Sequence, residues 1–294
     1  MTKTKGKSRV LKILLALMVC SALLLGLVLR LSLPYMQEAP LDEDPDHLHL
    51  TDEPTAEPTE PPVYVEIPEP EANPYGRNDF QYNENNYLSC LAGESSNGID
   101  VSAYQGEVDW EKVAASGIDF AMVRAGYRGY GEKGTLVEDK YAKDNLEGAA
   151  AAGLDVGVYF FSQALNTQEV EEEVEFLLEI IEGYELTMPV VYDWEYVSEE
   201  ARTANMDART LTDCSLHFCK LIEEAGYTPM VYFNTNQARD LLYLPELKEY
   251  DFWLAWYSDR MRFPYKLKMW QYTCYGRVPG IEGDVDINIL FHYD

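Results

Sequence analysis

From Gly98 onward, short runs of β-branched and aromatic residues alternate with helical patterns that stop at glycine. This alternation restricts the chain to a βα architecture. Gly98 to Ser102 reads as a first strand, and Trp110 to Ser116 as a helix before Gly117. Phe120 to Gly126 is a second strand, followed by a helix from Lys140 to Ala152. Asp155 to Ser162 is a third strand, and Thr167 caps a long acidic helix to Glu182. Pro189 to Glu195 is a fourth strand, with a helix from Asp207 to Ala225 behind it. Thr228 to Asn234, a short helix from Asn236 to Leu242 and Phe252 to Ser258 complete the alternating part. Leu267 to Thr273 and Val285 to Leu290 then read as strands with no room for crossover helices. Eight strands with helices missing at the end describe an α/β barrel with an incomplete helical ring.

The residues before this region have another character. Residues 1–33 hold six basic residues and no acid, and an uncharged apolar run extends from Ile13 to Leu29. Seventeen residues, or about twenty-one if Arg30 snorkels, come close to a hydrocarbon core of roughly 30 Å. We expect a basic cytoplasmic tail over 1–12 and a transmembrane signal anchor over 13–33, with the rest of the chain outside the cell. A cleaved signal peptide is the rival, but the run is long for one and no small-x-small site follows it. Cys20 lies mid-run and reads as one more apolar residue. Residues 34–78 carry twelve acids and ten of the fifteen prolines, which predicts an extended linker. His47 and His49 read there as solvated side chains. Residues 79–97 read as a polar lead-in, and 98–294 as the catalytic barrel domain.

Residues 79–294 hold 16 basic and 39 acidic residues, which excludes a general nucleic-acid binder. The five cysteines form no metal-ligand spacing, and their positions assign no disulfide. No His-Glu-x-x-His, phosphate loop or dinucleotide fingerprint is present, so neither metal nor cofactor is expected.

Active sites of βα barrels gather at the carboxyl ends of the strands, which gives weight to four acids. Asp100 lies on the first strand, Asp193 and Glu195 end the fourth, and Asp286 lies on the last. Strand alternation points Asp193 and Glu195 to the same side, about 6–7 Å apart along the chain. Two carboxyls in one cleft push their pKa values apart, as a glycosidase requires. The strands also carry Tyr159, Phe161, Tyr232, Trp253, Trp256, Tyr257, Trp270 and Tyr272. Rings of this kind stack on sugars, although alternation sends half of them toward the helices.

These motifs resemble the glycoside hydrolase family 25 lysozymes, the Chalaropsis-type muramidases. The resemblance runs through Gly98-Ile99-Asp100-Val101-Ser102 with Gln105, Val123-Arg124-Ala125, Gly157-Val158-Tyr159 and Asp193-Trp194-Glu195. It continues through Val231-Tyr232-Phe233-Asn234, Trp253-Leu254-Ala255-Trp256-Tyr257, Trp270-Gln271-Tyr272 and Asp286-Ile287-Asn288. It implies a TIM-like barrel of five βα units followed by three strands, (βα)5(β)3. It also implies hydrolysis of the β-1,4 bond between N-acetylmuramic acid and N-acetylglucosamine in peptidoglycan. By the same resemblance Glu195 is the general acid and Asp193 the second carboxylate, with Asp100 and Asp286 shaping the site. Tyr159, Tyr232 and Tyr257 are expected to face the sugar, joined by Trp270 and Asn288. The implied mechanism is either attack by the substrate's acetamido group or inversion through an activated water.

A chitinase-like barrel would need an acid two residues before the Asp-x-Glu pair, where Val191 stands. An inactive membrane-tethered peptidoglycan-binding module would keep the aromatics, but all four acids are present. A scaffold working through the acidic helix at Glu169 to Glu182 is a further alternative, although that helix reads more simply as a solvated face. Many relatives carry wall-binding repeats and this sequence shows none, so anchor and linker would position it for cell-wall remodelling on the outer face of the membrane. The excess of acids over 79–294 predicts repulsion from anionic wall polymers. Hydrolysis should be slower on walls rich in such polymers at low salt and should recover as salt is added; equal rates on stripped and unstripped walls at low salt would contradict this.

Overall fold

The computed structural model describes residues 67–293, all within one compact unit spanning Tyr64–Asp294. The apolar run at Ile13 to Leu29 and most of the acidic linker lie outside the described residues. Among the described residues no helix is long and apolar enough to cross a membrane.

Among the described residues, eleven strands and five α-helices follow in order. They are β1 (Phe80–Tyr82), β2 (Leu88–Cys90), β3 (Glu94–Val101), α1 (Trp110–Ala115), β4 (Phe120–Arg128), β5 (Leu136–Glu138), α2 (Ala142–Ala151) and β6 (Asp155–Ser162). Then come α3 (Thr167–Ile181), β7 (Val190–Trp194), α4 (Ala208–Glu224), β8 (Pro229–Asn234), α5 (Thr235–Asp240), β9 (Asp251–Ala255), β10 (Met269–Gly276) and β11 (Val285–His292). Strands β3, β4, β6, β7, β8, β9 and β10 run parallel side by side. β11 pairs antiparallel with both β10 and β3, which closes an eight-stranded barrel. Five βα units followed by three strands are therefore the observed architecture.

Local chemistry sets the helix limits. Asn166 accepts from the Glu169 amide at the start of α3, so the cap is Asn166 and Thr167 is already helical. Asp207 caps α4 through the Thr210 amide, and Asn234 forms a capping box with Gln237 on α5. α2 starts later than the expected Lys140, because Asp139 accepts from the Tyr141 amide and holds the chain in a turn there. Gly117, Gly153, Gly183 and Gly226 have positive φ just past helix ends, the conformation that stops the helix.

Two segments depart from the sequence reading. The stretch expected to be linker is packed on the barrel from Glu69 onward: Glu69 accepts from the Tyr265 hydroxyl, Lys266 pairs with Glu71, and the Tyr75 ring stacks on Tyr293. The expected polar lead-in forms the β1–β2 hairpin, with Phe80, Tyr87 and Leu88 buried. Helix α3 is not a purely solvated face either. Glu173 is buried and accepts from Arg128 of β4 at 2.8 Å, and burial pushes its carboxyl up to about 7. Cys90, Cys214, Cys219 and Cys274 are unpaired thiols.

Side chains alternate between two apolar layers. Phe120, Met122, Tyr159, Val191, Met230, Tyr232, Trp253, Met269 and Leu290 fill the barrel interior. Their chain neighbours pack outward under the helices, for example Val123, Val190, Tyr192, Val231, Leu254 and Ile289. Gly98, paired with Phe120 across β3 and β4, leaves the room that this ring occupies. A Cβ at Gly98 would fall inside the van der Waals envelope of the Phe120 ring. Gly98→Ala should therefore lower the free energy of unfolding by roughly 1–3 kcal/mol, read from the urea midpoint; an unchanged midpoint would show that Phe120 can move at no cost.

Candidate active site

One mouth of the barrel opens into a cleft of about 790 Å³. β3, β7 and β11 bring Asp100, Asp193, Glu195 and Asp286 to its wall. Asp100 and Asp286 are direct cross-strand partners in the β3–β11 register. Asp193 is the last residue of β7 paired with β8, and Glu195 follows the strand's end at Trp194.

Asp100 is held by neutral amides. Asp100 Oδ2 accepts from Gln271 Nε2 at 2.9 Å and from Asn288 Nδ2 at 2.8 Å. Gln271 Oε1 accepts in turn from the hydroxyls of Tyr232 and Tyr257, both at 3.1 Å. Asn288 Oδ1 accepts from Trp253 Nε1 at 2.8 Å. The nearest cation, Arg124, is engaged elsewhere: its Nε and one terminal nitrogen lie 2.8 and 2.7 Å from the buried Asp139 carboxylate. Its guanidinium also lies 5.3 Å from the ring centres of both Tyr104 and Tyr127.

Crowded, buried carboxyls resist ionisation. Burial raises Asp100 to about 6, opposed by the bonds from Asn288 and Gln271. Burial and the charge of Asp100 raise Glu195 to about 7. Burial, then Asp100 and Glu195, raise Asp286 to about 8. Asp193 is pushed well above the usual range by burial, then by Glu195 and Asp100, with Arg124 pulling the other way. The cluster thus ionises later than ordinary carboxyls do, with Asp100 losing its proton before Glu195 and Asp286. Asp193 Oδ1 is buried and bonds to nothing in the protein.

Of the residues expected to meet the sugar, Tyr159, Tyr232 and Tyr257 line the cleft, as do Phe161 and Trp253. Trp270 does not. Its ring is fully buried beneath the barrel wall against Phe80 and Tyr272, and its Nε1 donates to the Trp256 carbonyl. Period-two alternation sends Trp270 and Tyr272 outward and gives the cleft to Gln271, which was not among the expected site residues. Asn288 is fully buried beneath the cleft and braces Asp100, so it does not line the wall. Tyr104, Tyr127 and Tyr130 line an arm of the cleft that sequence reasoning did not name. Among the described residues no group of three or more His, Cys, Asp or Glu is placed to hold a metal ion.

The family model described as glycosyl hydrolases family 25 matches residues 99–281. An uncharacterized protein of Escherichia coli K12, YegX, is 27% identical over 213 residues, covering 68% of this chain and 71% of that one. The autolytic lysozyme of Clostridium acetobutylicum is 27% identical over 192 residues, 65% of this chain and 54% of that protein. The modular autolysin LytC from Streptococcus pneumoniae, solved with a synthetic peptidoglycan ligand, superposes with a TM-score of 0.61 at 27% identity. That match covers 72% of this chain and 52% of LytC, so the chain spans about half of LytC's length.

A carboxyl whose pKa is raised by folding costs nothing while it is protonated in both states. The cost appears as pH rises above the unfolded value, near 4, and is complete above the folded one. The Asp100, Glu195 and Asp286 shifts place this loss between about pH 4 and 8. Asp286→Asn should therefore stabilise the fold at pH 9 by about 1–3 kcal/mol, after allowing for solvent screening at this partly exposed group, and by much less at pH 3. Thermal unfolding at the two pH values reads the difference, and an equal gain at both would mean that charge is not the cause.

Proposed function

The chain belongs to glycosyl hydrolase family 25, and from that premise we propose that it is a peptidoglycan muramidase of the Chalaropsis type. It would cleave the β-1,4 bond from N-acetylmuramic acid to N-acetylglucosamine. The observation that carries this reading is the meeting of four carboxyls, all raised above the ordinary carboxylate range, in one aromatic-lined cleft. The lysozyme and autolysin names of two relatives support the same substrate class.

Glu195, raised to about 7, is still protonated in a large fraction of molecules at neutral pH and donates that proton to the glycosidic oxygen as the bond to C1 breaks. Asp193 Oδ1 accepts the N–H of the muramic acid's 2-acetamido group. That bond favours the ionised form of Asp193 and leaves the shared proton on Glu195. The acetamido carbonyl oxygen, aimed in this way, attacks C1 from the opposite face. Water then opens the cyclic intermediate and gives a proton to the Glu195 carboxylate. Two displacements at C1 retain the anomeric configuration. Asp100, raised only to about 6, is ionised at neutral pH and keeps negative charge beside the developing positive charge at C1, with Asp286 opposite it on β11, and Tyr159, Tyr232 and Tyr257 stack on or bond to the sugar. The basic tail and apolar run at the N-terminus support a second part of the proposal: a single-pass anchor and acidic linker hold the enzyme on the wall side of the cell membrane, where it remodels the producer's own wall.

The full-length chain incubated with purified peptidoglycan should release fragments with new N-acetylmuramic acid reducing ends, first formed as the β-anomer. Glu195→Gln should reduce turnover by about three orders of magnitude or more while glycan binding persists. kcat/KM should fall above about pH 7 as Glu195 loses its proton. Glycan binding without cleavage in the wild type would favour a tethered binding module, and an α-anomer would replace the acetamido route with attack by water.

A further inference from the structure

Glu195 stands outside the sheet. The β6–β7 ladder ends at the pair Ser162 and Trp194, and the β7–β8 ladder ends at Asp193 and Tyr232. The residues after Glu195 turn to the surface, with Tyr196 and Val197 exposed. Strand pairing therefore fixes Asp193 but does not reach the next acid. Two buried glutamine side chains take over from the ladder. Gln163, just past β6, donates its Nε2 to the Glu195 carbonyl at 2.9 Å. Gln237, on α5 after β8, donates its Nε2 to the Trp194 carbonyl.

We propose that Gln163 is a positioning residue for Glu195, clamping the backbone of the proton donor where the sheet no longer holds it. This rests on the muramidase reading for its catalytic meaning. The orientation of the amide is overdetermined. Nε2 meets two carbonyl oxygens, those of Glu195 and Ser162, and Oε1 accepts from the Thr203 hydroxyl at 2.5 Å. Gln163 and Thr203 are both buried, so neither has water as an alternative partner. The Gln163 carbonyl accepts in turn from Arg202, whose guanidinium forks onto Glu169 at 2.7 and 2.9 Å. This ties the clamp to the first turn of α3.

The neutrality of the clamp has a purpose. The charged and titratable groups that face Glu195 are Asp100 from β3, Asp193 from β7 and Asp286 from β11, with the hydroxyls of Tyr232 and Tyr257. The carboxylates among them repel an ionised Glu195 toward water. A cation in the clamp would hold the backbone equally well but would strip the proton that the donor needs. An amide holds position without adding charge.

The test uses the full-length chain carrying Gln163→Leu, Thr203→Val or Thr203→Ser. kcat and KM are measured on solubilised glycan strands. The Glu195 titration is followed by the 13C carboxyl signal that Glu195→Gln removes. Gln163→Leu should lower kcat about 10- to 100-fold with KM within about twofold, since the rings of the cleft are untouched. The Glu195 midpoint should fall toward that of an ordinary glutamate. Thr203→Val should shift both in the same direction by less, and Thr203→Ser, which keeps the hydroxyl, should restore them. A folded Gln163→Leu with wild-type kcat and an unmoved Glu195 midpoint overturns the clamp. If that variant does not fold, wild-type values for Thr203→Val overturn it instead. Should the wild type fail to cleave peptidoglycan, the muramidase reading falls, and the Glu195 titration still decides the clamp.

Discussion

Antiparallel pairing of β11 with both β10 and β3 closes the barrel, and most of the site follows from that closure. It sets Asp286 opposite Asp100 and Asn288 opposite Gly98. It also carries Asn288 and Gln271 to within hydrogen-bond distance of one Asp100 oxygen. Without β11 the first strand would be an open edge, and Asp100 would ionise in water like any surface acid. The last three strands dispense with crossover helices, so the wall they form is thinner. The β1–β2 hairpin and the segment from Glu69 onward pack against it, with Phe80 on Trp270 and Tyr75 on Phe291 and Tyr293.

Inside the closed barrel, Asp100 is braced by amides, one of which is itself held by two tyrosine hydroxyls. Gln271, Asn288, Gln163 and Gln237 each use a neutral side chain to fix an acid or the backbone beside one. Arg124 is the exception, and Asp139 holds it by charge before it can neutralise the cluster. Salt bridges to the acids would have lowered the carboxyl pKa values. Neutral hydrogen bonds orient Asp100 without adding charge, so burial still raises the carboxyls, at a cost in folding stability that grows with pH. Further ion pairs join Arg128 to Glu173 and Arg202 to Glu169 on α3.

The element order could be read closely from the sequence, since glycine stops and period-two apolar runs are local signals. β6 falls on the expected residues, and the other barrel strands differ from expectation by a few residues at their ends. The hairpin at Phe80 and Leu88 was missed because three-residue strands carry too little periodicity to stand out from a polar stretch. In the cleft, Asp193 and Glu195 could be paired from spacing alone. Trp270, expected at the sugar from the resemblance, faces away from the cleft, because strand parity groups Gln271 with the inward-facing Met269 and sends Trp270 to the other side. Gln163 and Gln237 gave no signal at all. Their partners are backbone carbonyls, and no residue pattern marks which carbonyl a buried amide will meet.

By itself the sequence determined the alternation of strands and helices, the acids at the strand ends, the charge excess and the apolar run near the N-terminus. Each of these depends on neighbours a few residues away, where rise, periodicity and capping act. The tertiary structure alone decided which side of each strand faces the cleft and which amides reach Asp100. It also decided how far burial raises the carboxyls, and what holds Glu195 beyond the end of its strand. Those outcomes depend on barrel closure and on contacts between residues far apart in the chain, such as Asp100 with Asn288 or Gln163 with Glu195, which local chemistry does not encode.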